Sequence, residues 1–264
     1  MIRHSAVRHE LECLGYTIVA FETSYNPTRI EDADLYLSHK QGALWELQVL
    51  SRVNGFEAML IRSSAALILT DAARVLPRYL VPDVKAPFQD HRERILFILD
   101  RLESAPEIPG PKFVFAHIIS PHLPYIFGPD GSYINPNVAF TLASGREQGN
   151  REYHFNGYLG QITYLNLRLE QLLAQIIRQS VTPPIIVIQA DHGGPLSGLR
   201  DRMAILNAYY FPDGGSESLY ETITPVNTFR LLFNIYFSGD YELLEDVSYS
   251  SSYNDPYKFK VIDD

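Results

Sequence analysis

The sequence predicts an α/β fold, a mostly parallel sheet with helices on both faces, and three observations carry that prediction. Two runs of strand length, Phe113–Ile119 and Ile185–Ile188, are apolar and rich in β-branched residues, the pattern of strands covered on both sides. Segments with apolar residues at three- and four-residue spacing, the helical period, separate such runs. Each run also ends in a Pro- or Gly-rich stretch carrying polar side chains, and open α/β sheets place their ligand groups at the carboxyl ends of strands.

A chain of 264 residues with 46% hydrophobic content can bury one large core, and 1–264 reads as a single α/β domain. Within it lie a helix-rich part (1–110), a site-bearing core (111–240) and an irregular tail (241–264). A formal charge of −9 argues against a nucleic-acid surface, which needs clustered Lys and Arg to neutralise phosphates. Any anionic substrate must therefore meet a local positive centre, which a bound cation with histidines supplies. The single cysteine, Cys13, excludes an internal disulfide. No run reaches the roughly 18 apolar residues of a membrane span, and the amino terminus lacks a signal-peptide core, so the chain as given is expected to be soluble, without a transmembrane segment.

Taken in order, Val7, Leu11 and Leu14 mark a helix over Ser5–Leu14, stopped at Gly15. Tyr16–Phe21 reads as a strand and Leu35–Leu37 as a second. Leu44–Leu76 is helical in pattern; Pro77, Pro82 and Pro87 predict a loop, and His91–Leu102 returns to helix. The proline-rich 105–111 turns the chain into the strand Lys112–Ile119. Gly128–Glu152 is polar and long for a connection, which favours a substrate-side lid. Tyr158, Ile162, Leu165, Leu169, Leu172, Leu173 and Ile176 form the clearest amphipathic stripe, on a helix that feeds the strand ending at Asp191 as a right-handed strand–helix–strand unit. Ala204–Phe211 reads as another strand, and Thr224 as the N-cap of a helix opened by Pro225.

The candidate chemistry sits past the strand ends. Asp191 and His192 follow Ile185–Ile188, and Gly193, Gly194 and Pro195 end the strand there; neighbours in a strand face opposite ways, so only a break lets both reach one ion. A carboxylate and an imidazole suit Zn²⁺ or Mn²⁺. The same tripeptide reads equally well as a plain turn with a solvated histidine. His117, alone in an apolar run, is more often a hydrogen-bonded core residue than a ligand. His122, between Pro121 and Pro124, sits on a stiffened loop where ligand groups belong. Arg200 and Arg202 lie close in sequence and offer positive charge for an anion, though such arginines are usually only solvated.

These blocks in this order resemble the alkaline phosphatase superfamily, nearest its sulfatase-like branch, which includes lipoteichoic acid synthase and phosphoethanolamine transferases. The resemblance spans Lys112 to Ser238: Phe-Ala-His-Ile-Ile-Ser-Pro-His-Leu-Pro-Tyr, then Tyr164-Leu165-Asn166, Gln189-Ala190-Asp191-His192-Gly193, Ile205-Leu206-Asn207-Ala208-Tyr209-Tyr210 and Thr224-Pro225-Val226-Asn227-Thr228. Ser5–Leu37 also resembles the region just upstream. The resemblance implies a metal-dependent hydrolase or transferase of phosphate or sulfate esters. It makes Asp191 and His192 ligands of one divalent ion (Zn, Mn or Ca), and His122 the residue that contacts the phosphate or sulfate group. His117, which has no firm counterpart, and Arg202 are further candidates for the substrate. The implied partner is a small anionic ester, glycan or lipid headgroup. Relatives are often membrane-anchored with an extracytoplasmic domain. In the family a Ser, Thr or modified Cys attacks phosphorus or sulfur, and the covalent intermediate passes to water or an alcohol. That nucleophile and the first acidic ligand precede the matching region, and Thr23, Ser24 and Ser120 are poor substitutes. The chain is therefore expected to be the carboxyl-terminal part of such a protein or a degenerate homologue. The alternative is a non-catalytic domain binding an anionic glycan or lipid headgroup.

Overall fold

The computed structural model of the protein describes residues 2–40, 55–63, 86–136, 138, 140, 142, 149–194, 198–252 and 254–262. It is a mixed α/β chain in two compact units, Met1–Gln179 and Ser180–Asp264. Most of the helical reading of 44–76, with Pro77 and Pro82, falls outside the described residues, as do Pro195 and much of the expected lid. Among the described residues no helix is long and apolar enough to cross a membrane.

The first unit is built on a three-stranded parallel sheet in the order β2-β1-β3: β1 (Thr17–Phe21), β2 (Leu35–Leu37) and β3 (Lys112–Phe115). Helix α1 (Ala6–Cys13) leads into β1. Ser5 accepts from the Arg8 N–H at its start, and Gly15 ends it at φ +81° while the Tyr16 N–H returns to the Leu11 carbonyl. As the central strand, β1 buries Ile18, Val19, Ala20 and Phe21 almost completely, which its unbroken apolar sequence anticipates. Register pairs Val19 with Leu35 and with Val114.

Helix α2 (Gly55–Arg62) precedes α3 (Ala86–Leu102) and the long α4 (Arg151–Gln179). Pro87, expected in a loop, lies in the first turn of α3, where its missing N–H costs nothing. The main core joins Phe88, Ile95 and Leu99 of α3 to Tyr164, Leu165 and Leu172 of α4, with Ile126 and Phe127 packed among them. Part of the expected lid is pinned to this core. Gly128 and Ser132 close a tight turn, Arg92 donates to the Gly131 carbonyl at 2.9 Å, and Gly131 approaches the Tyr164 ring so closely that a Cβ there would lie 2.5 Å from it.

The second unit holds β4 (Ile186–Gln189) and β5 (Asn207–Tyr210), the short helix α5 (Leu199–Met203), helix α6 (Pro225–Tyr236), and a terminal hairpin of β6 (Tyr249–Ser252) and β7 (Asp255–Val261). Three expectations are corrected here. The described partner of β4 is β5, antiparallel, with Ile186 opposite Tyr210; an apolar run signals covered faces and is silent on strand direction. Ala204–Phe211 contributes only its second half to a strand, because Met203 still belongs to α5. The tail expected to be irregular is so over 241–248 but then forms the β6–β7 hairpin, whose Ser- and Lys-interrupted pattern masks its strands.

Candidate functional site

In the second unit, β4 stops at Gln189, and Asp191 and His192 occupy the bend beyond it. The bend is clamped. The Ala190 N–H donates to Leu206 at 2.9 Å, and the Gly193 N–H donates to the Arg202 carbonyl at 2.7 Å. A Cβ on Gly193 would meet the Asp201 carbonyl oxygen at 2.3 Å, so no larger residue fits without moving backbone. Asp191 Oδ2 then lies 3.9 Å from His192 Nε2. Two donors about 2.0–2.2 Å from a zinc-sized ion lie roughly 3–4 Å apart, so the pair fits two positions of such a site. The His192 ring is oriented for this role: its Nδ1 donates to the Gly193 carbonyl at 2.7 Å, which leaves Nε2 as the lone-pair nitrogen. Among the described residues no group of three or more His, Cys, Asp or Glu is placed to hold a metal ion. Arg202 touches the bend through its carbonyl, and among the described residues its guanidinium makes no hydrogen bond or ion pair.

The end of β4 is tied down from below. Gln189 donates to Asn207 Oδ1 at 3.0 Å and to Thr228 Oγ1 at 2.9 Å, and the Tyr209 hydroxyl shares the Thr228 oxygen at 2.8 Å. Thr228 is fully buried. Buried hydroxyls and amides need such partners, and here they join β4, β5 and α6.

In the first unit, β3 ends at Phe115, two residues before His117, which corrects the expectation of a strand through Ile119. His117 therefore lies past the strand end. Its Nδ1 is 2.6 Å from Thr28 Oγ1 and 3.3 Å from Thr23 Oγ1, and its ring meets Tyr25 edge-on at 5.8 Å. His122 sits in a loop held from helix α4: Gln161, fully buried, donates to the Pro121 and His122 carbonyls at 3.1 and 3.2 Å and accepts from the Ile126 N–H at 3.0 Å. The His122 Nδ1 donates to the Leu123 carbonyl at 2.8 Å.

The carboxyl ends of β1 and β2 carry a cluster that sequence reading missed. Glu22, just past β1, meets Ser38 Oγ in a short hydrogen bond and lies 3.2 Å from His39 Nδ1. On its far side the His39 Nε2 is 3.0 Å from Asp90 of α3. Arg94, one turn along α3, reaches Asp90 at 2.6 Å, Glu22 at 3.5 Å and the Ser24 hydroxyl. Lys40 stands 3.2 Å from Asp90. Burial works to raise the Glu22 carboxyl, but the His39 and Ser38 contacts and the Arg94 charge outweigh it and hold the group at about 2. Burial likewise works to raise Asp90, but the His39 hydrogen bond and the Arg94 and Lys40 charges outweigh it and depress it further. Burial opposes the charged form of His39, and the two carboxylates on either side overcome it and raise its pKa. The neighbouring His91, 1% exposed, shows the opposite outcome: burial first, then the Arg94 charge, push it down to about 3, so it stays neutral. The signal that could have found this cluster is position, since Glu22, Ser38 and His39 immediately follow strand ends.

The hydroxyls nearest these groups are engaged or enclosed. Thr23 Oγ1 also accepts from the Tyr25 N–H at 3.2 Å, Ser24 faces Arg94, and Ser120 Oγ is buried without a hydrogen-bond partner among the described residues. No family model, curated protein or solved structure matches this chain.

Proposed function

We propose that the chain carries part of a metal-dependent hydrolase or transferase site for phosphate or sulfate esters, of the sulfatase-like kind its sequence resembles. The observation that supports this most directly is the His192 ring, whose Nδ1 is bound by the Gly193 carbonyl while Nε2 stands 3.9 Å from the Asp191 carboxylate. A plain solvated turn has no need of that orientation. In this reading Asp191 and His192 hold a divalent ion, and the fold clamps them through Gly193 and Arg202. When bound, such an ion stabilises negative charge developing on ester oxygens. His122 serves the anionic group of the substrate. With Nδ1–H committed to Leu123, its Nε2 donates to an anionic oxygen only when the ring carries both protons. His117 and Arg202 are each further candidates for contact with an anionic ester group, and the nucleophile is assigned to no residue of this sequence. The substrate class is a small phosphate or sulfate ester, including glycan and lipid-headgroup esters.

The test is metal content. The chain is stripped with chelator, dialysed against Zn²⁺ or Mn²⁺ and analysed by elemental mass spectrometry beside Asp191→Ala and His192→Ala. One ion per wild-type chain, lost in both variants, is the expected result. Equal metal content in all three proteins overturns the reading. Assay of p-nitrophenyl phosphate and sulfate on the loaded chain then separates its forms: turnover makes it catalytic, and metal retention without turnover makes it a non-catalytic binder of the same anions.

A further inference from the structure

The first two turns of α4 border a cavity of about 370 Å³, a volume within the range of small-molecule pockets. Its apolar side is formed by Tyr125, Tyr153 and Ile134. Tyr125, 2% exposed, is set deepest, and the Tyr153 ring meets it edge-on at 5.4 Å. Two glycines admit these rings. A Cβ on Gly157 would lie 2.2 Å from the Tyr125 ring, and one on Gly149 would lie 2.4 Å from that of Tyr153. Gly157 stands inside a helix, where glycine is a poor former, so its place is explained by the ring it lets in.

The rim is polar and exposed. Asn150, at the N-cap of α4, spends its Oδ1 on the Tyr153 N–H at 2.8 Å, and its Nδ2 makes no hydrogen bond among the described residues. The Glu152 and Asn156 side chains are exposed and likewise without a protein partner there. Ile134, Asn150 and Glu152 all belong to the polar stretch whose sequence reads as facing a substrate.

This lining selects among ligands. No Lys, Arg or His borders the cavity, so an anionic group finds no counter-charge in it. A cation would use the Glu152 charge but accepts no hydrogen bond, which leaves the amide N–H groups of Asn150 and Asn156 unmatched. The hydroxyls of a sugar both give and accept, so they match amides and a carboxylate together, and the ring's C–H surface suits aromatic carbon. We propose that this cavity binds an uncharged sugar ring, its C–H surface against Tyr125 and Tyr153 and its hydroxyls on Asn150, Glu152 and Asn156.

The site adjoins the His122 loop through one helix. Gly157, which admits Tyr125, and Gln161, which holds the Pro121 and His122 carbonyls, lie one turn apart on the same face of α4. A glycan ester is the substrate that uses both places. That link rests on the function proposed above, whereas sugar binding is tested without metal or turnover.

The experiment is saturation-transfer NMR of the full chain in chelator, with methyl glucoside, methyl galactoside, N-acetylglucosamine and choline as separate probes. At least one of the three sugars should receive saturation on its ring C–H protons, and choline should not. Asn156→Ala, an exposed change that leaves the core alone, should weaken that sugar's binding about tenfold, the size of a lost hydrogen bond. Tyr153→Ala should abolish it, and Glu152→Gln, which keeps an acceptor oxygen and removes the charge, should retain it. Absence of transfer to all three sugars overturns the proposal, and so does transfer that Asn156→Ala and Tyr153→Ala leave unchanged in folded protein. Transfer to choline that Glu152→Gln removes also overturns it and marks the cavity as a cation site. Asp191→Ala should leave sugar binding intact, so this site and the metal site fail separately.

Discussion

Gln161 of α4 holds the His122 loop by its backbone, its Nε2 reaching the carbonyl of His122 at 3.2 Å and that of Pro121 at 3.1 Å. A single buried amide thus spends both hydrogens on one bend and its oxygen on the Ile126 N–H that follows. The position of the imidazole is therefore set by a residue that never touches it. Replacing Gln161 with Leu keeps the volume and strands two carbonyls and an N–H, at a cost of about 2–4 kcal/mol. Urea denaturation should show that loss, and amide hydrogen exchange should show protection falling first at Ile126. Unchanged exchange there would mean the bend holds itself.

The Glu22–His39–Asp90–Arg94 cluster makes the first unit's stability depend on pH from two sides. Glu22 is lowered from 4.5 to about 2, so its contribution is present above pH 4.5 and fades as pH falls through that interval. His39 is raised above 6.5, so its contribution is complete below 6.5 and fades as pH rises through its elevated value. Stability measured by thermal unfolding should peak between those limits. In His39→Gln the alkaline decline should flatten while the acid decline remains.

Arg94 is a cation shared by the buried Glu22 and the half-buried Asp90. Among the described residues Arg94→Met leaves Glu22 with His39 and Ser38, and Asp90 with His39 and Lys40, and removing one partner from such a charge cluster costs about 3–5 kcal/mol. The Glu22 pKa, followed by carboxyl carbon shifts, should rise from about 2 toward its ordinary value. If it does not move, the His39 and Ser38 contacts suffice without the arginine.

Gly193→Ala forces a methyl to 2.3 Å from the Asp201 carbonyl and must displace the Asp191–His192 bend or helix α5. The expected cost is about 1–3 kcal/mol, the range for overpacking. If the proposed function holds, metal affinity should fall in parallel although neither ligand is altered. Affinity kept at the wild-type level would show that the clamp is dispensable.

Thr224 stands at the N-cap of α6, yet its hydroxyl donates to Asp246 at 2.6 Å instead of capping the helix. Asp246 also accepts from the Thr224 N–H, Tyr220 and Asn227. These bonds, opposed by burial, lower its pKa, so their contribution is present above 3.8 and lost as pH falls through the depressed value. Asp246→Ala should destabilise the second unit by about 1–2 kcal/mol, as loss of a cap does. Thr224→Ala should cost less, since the backbone N–H still reaches the carboxylate.

The sequence by itself determined the elements whose signal is local. The α1 stop at Gly15, the covered strand β1, the stripe of α4 and the break after β4 each follow from the period, glycine or proline of a short stretch. It also pointed to Asp191, His192, His117 and His122, because polar groups after apolar runs are legible without partners. Only the tertiary structure decided which strands pair, since an apolar run states its burial and not its neighbour: β4 has the sequence of a parallel strand, yet β5 pairs with it antiparallel. The carboxylate–histidine–arginine cluster was equally hidden: Glu22, His39, Asp90 and Arg94 lie on three separate elements, and nothing in their spacing shows that they meet. Gln161 left a faint mark as an amide on an apolar stripe. Its meaning comes from hydrogen bonds made to residues 35 to 40 positions away, which no local pattern shows.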